Sequence, residues 1–145
     1  MIQDVNKLRK RITIVAGLLM ILVLLFVAIQ NKREPEVINS RSVGTANYSE
    51  EHINIALNKL YASDYGEIAE DLVKKCRENS FRNLKFSYDI RKLNALYGTV
   101  YLRASSFEKG DVLFSFAYIQ PEIGGDYNII DNPEHFILKI VRENR

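Results

Sequence analysis

The sequence predicts an α+β protein: a single N-terminal transmembrane helix over residues 12–30, then two helices packed on a four-stranded antiparallel sheet. Three observations lead there. Ile12 to Ile29 holds eighteen residues without a charge, Ser49 to Asn79 carries apolar side chains at helical spacing, and after Ser80 the apolar period drops from near 3.6 to 2.

The apolar run, ITIVAGLLMILVLLFVAI, rises about 27 Å as a helix, close to the hydrocarbon thickness of a bilayer. Backbone amides cannot reach water inside lipid, so the run must close its hydrogen bonds internally, and its Leu, Ile and Val surface suits lipid all round. The competing reading is a cleaved secretory signal, because a basic segment precedes the run. Cleavage wants small residues just past the apolar stretch, however, and bulky Phe26 stands two positions before Ala28. No cysteine follows to accept a lipid. The expectation is an uncleaved anchor that meets membrane lipid through residues 12–30. Lys7, Arg9, Lys10 and Arg11 before the run outweigh Lys32, Arg33 and Arg41 after it, which places residues 1–11 in the cytoplasm as a short tail and the domain outside the cell membrane.

Charge is divided unevenly. Residues 1–30 carry +3 and residues 31–145 carry −1, out of +2 overall. A balanced domain lacks the electrostatic footprint of a nucleic-acid binder, whose affinity rests on neutralising phosphates. The single cysteine, Cys76, cannot form an internal disulfide. Packing alone must therefore hold an extracytoplasmic domain together, which suits a bacterial envelope better than a disulfide-rich secreted module.

Residues 31–48 are polar, contain Pro35 and Gly44, and lack apolar periodicity, so a flexible linker is expected before a domain at 49–145. Ser49 reads as an N-cap with Glu50 and Glu51 at the positive dipole end, and Ile53, Leu57, Leu60 and Tyr61 form a helical stripe to Ala62. Asp64 and Glu67 match a capping box for a second helix, Tyr65 to Asn79, with Leu72, Val73 and Cys76 inward and Lys74, Lys75 and Arg77 at its negative end. One kinked helix is the alternative.

Four strands are expected next. Leu84 to Tyr88, Gly98 to Arg103 and Val112 to Ile119 alternate apolar and polar positions, and His135 to Arg142 puts Phe136, Leu138 and Ile140 on one face. The loop from Ser105 to Gly110 suits a hairpin that pairs the second and third strands antiparallel. The third strand is apolar on both faces, which points to a central position. In layout this resembles the helix-plus-curved-sheet domains of nuclear-transport-factor-2 and cystatin type, an analogy of architecture.

Chemistry-bearing residues are few. His52 and His135 are far apart without a second ligand at metal spacing, so no metal site is expected. Glu122, Asp126, Asp131 and Glu134 surround Gly124 and Gly125 but miss the EF-hand spacing. Cys76 lies on an apolar stripe and reads as a small buried hydrophobe with no base to activate it. Nothing assigns acid, base or nucleophile, so no enzyme and no cofactor is expected. Arg82, Lys85, Arg91 and Lys92 form a basic stretch, and Tyr97 and Tyr101 share one strand face; these six are the candidate contact surface. The expected function is a membrane-anchored, non-enzymatic interaction or assembly module that meets an envelope protein and no nucleic acid. The alternative is a tethered binding module whose small-molecule or peptide pocket, between helices and sheet, is lined by Phe114, Phe116 and Tyr118.

Overall fold

The computed structural model describes residues 2–122 and 126–141, and the chain divides into two units, Met1–Arg33 and Glu34–Arg145. The first unit is one helix, α1 (Ile2–Asn31), which continues without a break from the basic segment into the apolar run. It is long and apolar enough to cross a bilayer, and its apolar window is exposed rather than folded into a core.

The second unit is a five-stranded mixed sheet with one long helix. In chain order it contains β1 (Glu36–Gly44), β2 (Ser49–Ala56), α2 (Tyr65–Arg77), β3 (Ala95–Tyr101), a short α3 (Ala104–Glu108), β4 (Phe114–Ile119) and β5 (Ile137–Val141). Spatial order follows chain order, β1-β2-β3-β4-β5; β2 and β3 run parallel and every other pair is antiparallel. The parallel pair needs a crossover, which α2 supplies. The sheet therefore differs from the four antiparallel strands expected, and its layout departs from the nuclear-transport-factor-2 and cystatin analogy.

Three corrections have local causes. Ser49 to Ala62, expected as a helix, contains β2 instead. Ser49, Glu51, Ile53 and Ile55 are buried in strict alternation, and ladders on both sides outweigh the helical reading of Ile53, Leu57 and Leu60. Residues 31–48, expected as a flexible linker, hold β1. This polar strand is fixed by pairing from Glu36↔Ala56 to Gly44↔Ser49, with an irregularity between Val37 and Asn39 and a closing bond from the Thr45 amide to the Tyr48 carbonyl (2.8 Å). Leu84 to Tyr88, expected as a strand, is loop. The Asn79 side chain takes the place of a neighbouring strand, its amide donating to the Phe86 carbonyl and its oxygen accepting from the Phe86 amide, both at 2.8 Å.

Other elements match their expectations. Asp64 caps α2 by accepting from the Glu67 amide at 3.0 Å, and Ala69, Leu72, Val73 and Cys76 are its buried stripe. The helix stops at Arg77, and Asn79 adopts φ 54°, a left-handed exit. β3 and β4 form the expected antiparallel pair, with α3 in the connection. β4 is an interior strand, but the middle of the sheet is β3. His135 lies in a 3₁₀ turn (Pro133–His135) before β5 rather than on the strand. Gly124, Gly125 and Arg142 lie outside the described residues.

One sheet face packs under α2. Ile53, Ile55, Leu96, Val100, Phe114 and Phe116 are buried there with Leu72 and Cys76. On the other face, Arg41, His52, Tyr97, Ala117 and Lys139 align as a single row of cross-strand partners spanning all five strands.

Candidate functional site: an open sheet face and a pinned cleft

The cross-strand row is open to solvent. Arg41, His52 and Lys139 are exposed, while Tyr97 and Ala117 are half-buried. His52 stacks on Tyr97 with ring centroids 4.7 Å apart and its Nε2 lies 2.9 Å from the Glu50 carboxylate. Tyr48 donates its hydroxyl to the same carboxylate at 3.0 Å. The His52 hydrogen bond, joined by that from Tyr48, holds the Glu50 carboxyl below its ordinary range. Partial burial and the same Glu50 contact push the Tyr48 phenol up to about 12. Tyr48, Glu50, His52 and Tyr97 thus form one connected polar and aromatic cluster.

The second feature is a cleft of about 420 Å³ between the β1–β2 hairpin and the loop after α2. Ser42 and Glu51 line its hairpin side, and Phe86, Tyr88, Ile90 and Arg91 line its loop side. Three asparagines pin the loop. Asn79 holds Phe86 as described; Asn83 accepts from the Val37 amide (3.2 Å) and donates to the Val37 carbonyl (2.6 Å); Asn94 accepts from the Ser49 amide (2.9 Å) and donates to the Tyr127 carbonyl (2.8 Å). Phe86 stacks on Tyr88, whose hydroxyl donates to the Cys76 carbonyl at 2.8 Å.

Glu51 is the unusual residue here. It is 4% exposed, because its place in the alternation of β2 points it to the inner face. The Ser42 hydroxyl donates to its Oε2, and no other hydrogen bond or ion pair reaches this carboxylate among the described residues. Among the described residues no buried side-chain oxygen or nitrogen lacks a hydrogen-bond partner, so the free side of this carboxylate opens into the cleft.

Burial, together with the field of Glu51, pushes the Cys76 thiol up; burial raises the Tyr88 phenol as well. Cys76 is fully buried on the apolar stripe of α2, as a packing residue.

The six expected contact residues do not share one surface. Tyr97 sits on the open sheet face. Lys85 and Arg91 border the cleft on the inner side, where the Lys85 ammonium donates to the Asn79 carbonyl at 2.7 Å. Arg82 is exposed in the turn after α2, and Lys92 is committed to Asp131 at 2.6 Å, which with Asn128 keeps that carboxyl low. Tyr101 is buried, edge-on to Phe107 of α3 at 5.2 Å, and so is withdrawn from the contact surface.

Phe114 and Phe116 are packed into the core between helix and sheet, whereas Tyr118 lines a cleft of about 400 Å³ between α2 and the β4–β5 pair, with Val73, Arg77 and Leu138. Tyr65 stacks on Phe114 at 4.8 Å, and Tyr118 stacks on Phe136 at 5.2 Å while donating to the Pro133 carbonyl. His135 stacks on Tyr127 at 3.7 Å. Among the described residues no three His, Cys, Asp or Glu side chains are grouped to hold a metal ion.

Sequence reasoning missed Glu51 by reading it as a helix-start carboxylate. The available signal was Ser49, Glu51, Ile53, Ile55 and Leu57, five alternate positions in which one acid stands among apolar partners. No protein-family model, characterised protein or solved structure matches the chain.

Proposed function

We propose that the chain is a single-pass membrane protein with residues 1–11 in the cytoplasm, and that its domain is a non-enzymatic interaction module in the cell envelope. The open cross-strand row is the docking face. The observation that carries this reading is the row itself: Arg41, His52, Tyr97 and Lys139 remain accessible on a sheet whose opposite face carries the hydrophobic core. Two fixed cations and a stacked aromatic pair suit a protein partner that presents carboxylates beside an apolar patch.

The basic residues before the apolar helix favour the cytoplasmic side for the N-terminal end. A photo-activatable residue at Tyr97, introduced into the full chain in native membranes, should cross-link to one partner. Arg41→Ser with Lys139→Ser should abolish that cross-link. Equal cross-linking from Arg82, which lies off the face, would refute the assignment.

A second reading, a binding module for a small molecule or peptide, is favoured by the pinned cleft, where Glu51 accepts from Ser42, and by the cleft between α2 and the sheet that Tyr118, but neither Phe114 nor Phe116, lines. Both volumes lie in the range of small-ligand sites.

A further inference from the structure

We infer that the loop after α2 is a peripheral contact with the bilayer surface: Ile90 enters the headgroup layer, and Lys85 and Arg91 beside it engage anionic lipid headgroups. It rests on the membrane reading of α1 given above and adds a surface that the docking row does not use.

Ile90 stands out by exposure. Its side chain is 82% exposed, the highest value for any large apolar side chain among the described residues, above even those of α1. A loop free to rearrange would tuck such a group away, because burying an isoleucine is favourable. This loop is not free. The Ile90 and Arg91 amides both donate to the Ser87 carbonyl, at 3.0 and 3.1 Å, which closes a turn with Ile90 at its tip. Tyr88 is turned inward by its bond to the Cys76 carbonyl, and Asn79 and Asn94 fasten the chain before and after the turn. The fold therefore holds an apolar group out in water.

Charge around the tip selects the partner. Residues 82–92 contain Arg82, Lys85, Arg91 and Lys92 against Asp89 alone, a local +3, whereas the rest of residues 31–145 carries −4. Lys92 is paired with Asp131. Lys85 and Arg91 line the same cleft as Ile90, and the one acid on that cleft, Glu51, is buried. The bond from Lys85 goes to a neutral carbonyl, that of Asn79, and leaves its charge uncancelled. An exposed isoleucine beside uncancelled cations matches the layering of a membrane surface, in which anionic headgroups overlie hydrocarbon. The acidic remainder of the domain is repelled by that surface, which turns this loop towards it. A protein partner would need a pocket shaped to a projecting turn, whereas lipid closes around any projecting shape.

Chain length keeps the surface within reach. Only residues 32–35 separate the end of α1 at Asn31 from the start of β1 at Glu36, about 17 Å when fully extended. The loop enters β3 at Ala95, which pairs with Glu50, while Glu36 pairs with Ala56; the loop thus lies about 20 Å along the strands from the tethered end. A domain laid along an inserted anchor's bilayer sets the tip on the headgroups. The cleft that Lys85 and Arg91 line is on the inner face of the sheet, so the row from Arg41 to Lys139 stays free to dock.

The chain has no tryptophan, so Ile90→Trp supplies a single indole that reports its own surroundings. The full chain carrying it is reconstituted into vesicles of brominated phosphatidylcholine, with or without phosphatidylglycerol. Bromine should quench the indole about twofold or more when phosphatidylglycerol is present. Quenching should fall away in pure phosphatidylcholine, and also at about 1 M salt, where the Debye length is about 3 Å. Lys85→Ser with Arg91→Ser should lower the ratio of docked to free domain by about tenfold or more, since each basic residue near an anionic surface contributes about fivefold. Slow labelling of Cys76 checks that these variants are folded. Tyr97→Trp, on the open sheet face, should stay unquenched. Equal quenching with and without phosphatidylglycerol would overturn the headgroup assignment, and equal quenching of Tyr97→Trp would overturn the loop as the contact. If the chain floats with the vesicles while Ile90→Trp is unquenched, the lipid contact fails and the α1 anchor stands; a photo-activatable residue in place of Ile90 that captured a protein in native membranes would then give the tip to a protein partner. A chain that does not float overturns the anchor and the loop contact together.

Discussion

Gly98 faces Phe116 directly across the β3–β4 pair, and a Cβ on Gly98 would fall inside the space the Phe116 ring occupies. The middle strand thus gives up a side chain so that an aromatic from its neighbour can lie flat over it. That packing closes the Phe114 and Phe116 part of the region in which a pocket was expected and leaves the Tyr118 end open. Gly98→Ala should destabilise the domain by about 2 to 3 kcal/mol through overpacking, read as a lower urea midpoint for the full chain in detergent. Adding Phe116→Leu should recover part of the loss; no recovery would place the strain elsewhere.

Asn83 and Val37 are joined by two hydrogen bonds and are 46 residues apart in sequence. They are the tie between the cleft loop and the edge strand β1. Asn83→Ala should cost about 1 to 3 kcal/mol, since it leaves two part-buried backbone groups unpaired. Trypsin reports the local effect, because Arg82, Lys85, Arg91 and Lys92 all lie in or beside this loop. Cleavage there should speed up under conditions where the rest of the domain stays intact. Unchanged proteolysis would mean that Asn79 and Asn94 hold the loop without help.

These two ties also show which parts of the fold are legible from residues and which are not. The long apolar helix α1, the capped helix α2 and the β3–β4 hairpin each carry a local signal: a charge-free run, the Asp64 cap with its stripe, and strict alternation around a Gly-containing loop. β1 carries none, because a polar edge strand such as Asn39 to Ser42 acquires its conformation only from its partner. β2 carries two signals at once, since Ile53 and Leu57 fit a helix while Ile53, Ile55 and Leu57 fit a strand, and pairing decides between them. Leu84 to Tyr88 alternates like a strand yet has no ladder, because one asparagine side chain satisfies Phe86. The cleft depends on all three of these segments, so its Glu51 was hidden, whereas Lys85, Arg91 and Tyr97 stood out as exposed charge and aromatic surface.

Cys76 should react slowly with a thiol reagent. Its side chain is fully buried, and burial raises the thiol above its ordinary range, so both access and thiolate are scarce in the folded domain. Labelling should track global unfolding and accelerate sharply across the urea transition. Cys76→Ser should cost about 1 to 3 kcal/mol by placing a hydroxyl among the apolar side chains that pack α2. Prompt labelling of the native chain would contradict the packing of α2.

Alkaline pH should destabilise the domain in a defined direction. The Tyr48 phenol is raised from 10.0 to about 12, and the Tyr88 and Tyr118 phenols are raised as well, all chiefly by burial. Raised folded values mean that the folded state holds protons which the unfolded state releases first. The corresponding stability is complete below the ordinary tyrosine value and is lost as pH rises through the folded one. Tyrosinate absorbance of the folded chain should therefore lag that of the urea-unfolded chain above pH 10, and the unfolding midpoint should fall over the same interval. Tyr48→Phe should flatten the part of that fall that ends near pH 12. A midpoint independent of pH across this range would refute the assignment.

The proposed membrane anchoring through α1 is the reading that bears on location, and the buried Cys76 makes its orientation testable without a cysteine background. Exchanging a central leucine for arginine costs about 3 to 4 kcal/mol on insertion scales, so Leu19→Arg combined with Val23→Arg, one turn apart on α1, should release much of the chain from membranes into alkaline carbonate extracts. Leu19→Phe should not. Lys109→Cys, on an exposed position after α3, then reads orientation. A membrane-impermeant maleimide should label it on intact cells if the domain lies outside, while Cys76 stays unlabelled. Labelling that appears only after lysis would put the domain in the cytoplasm and remove the envelope as the place where its partner is found.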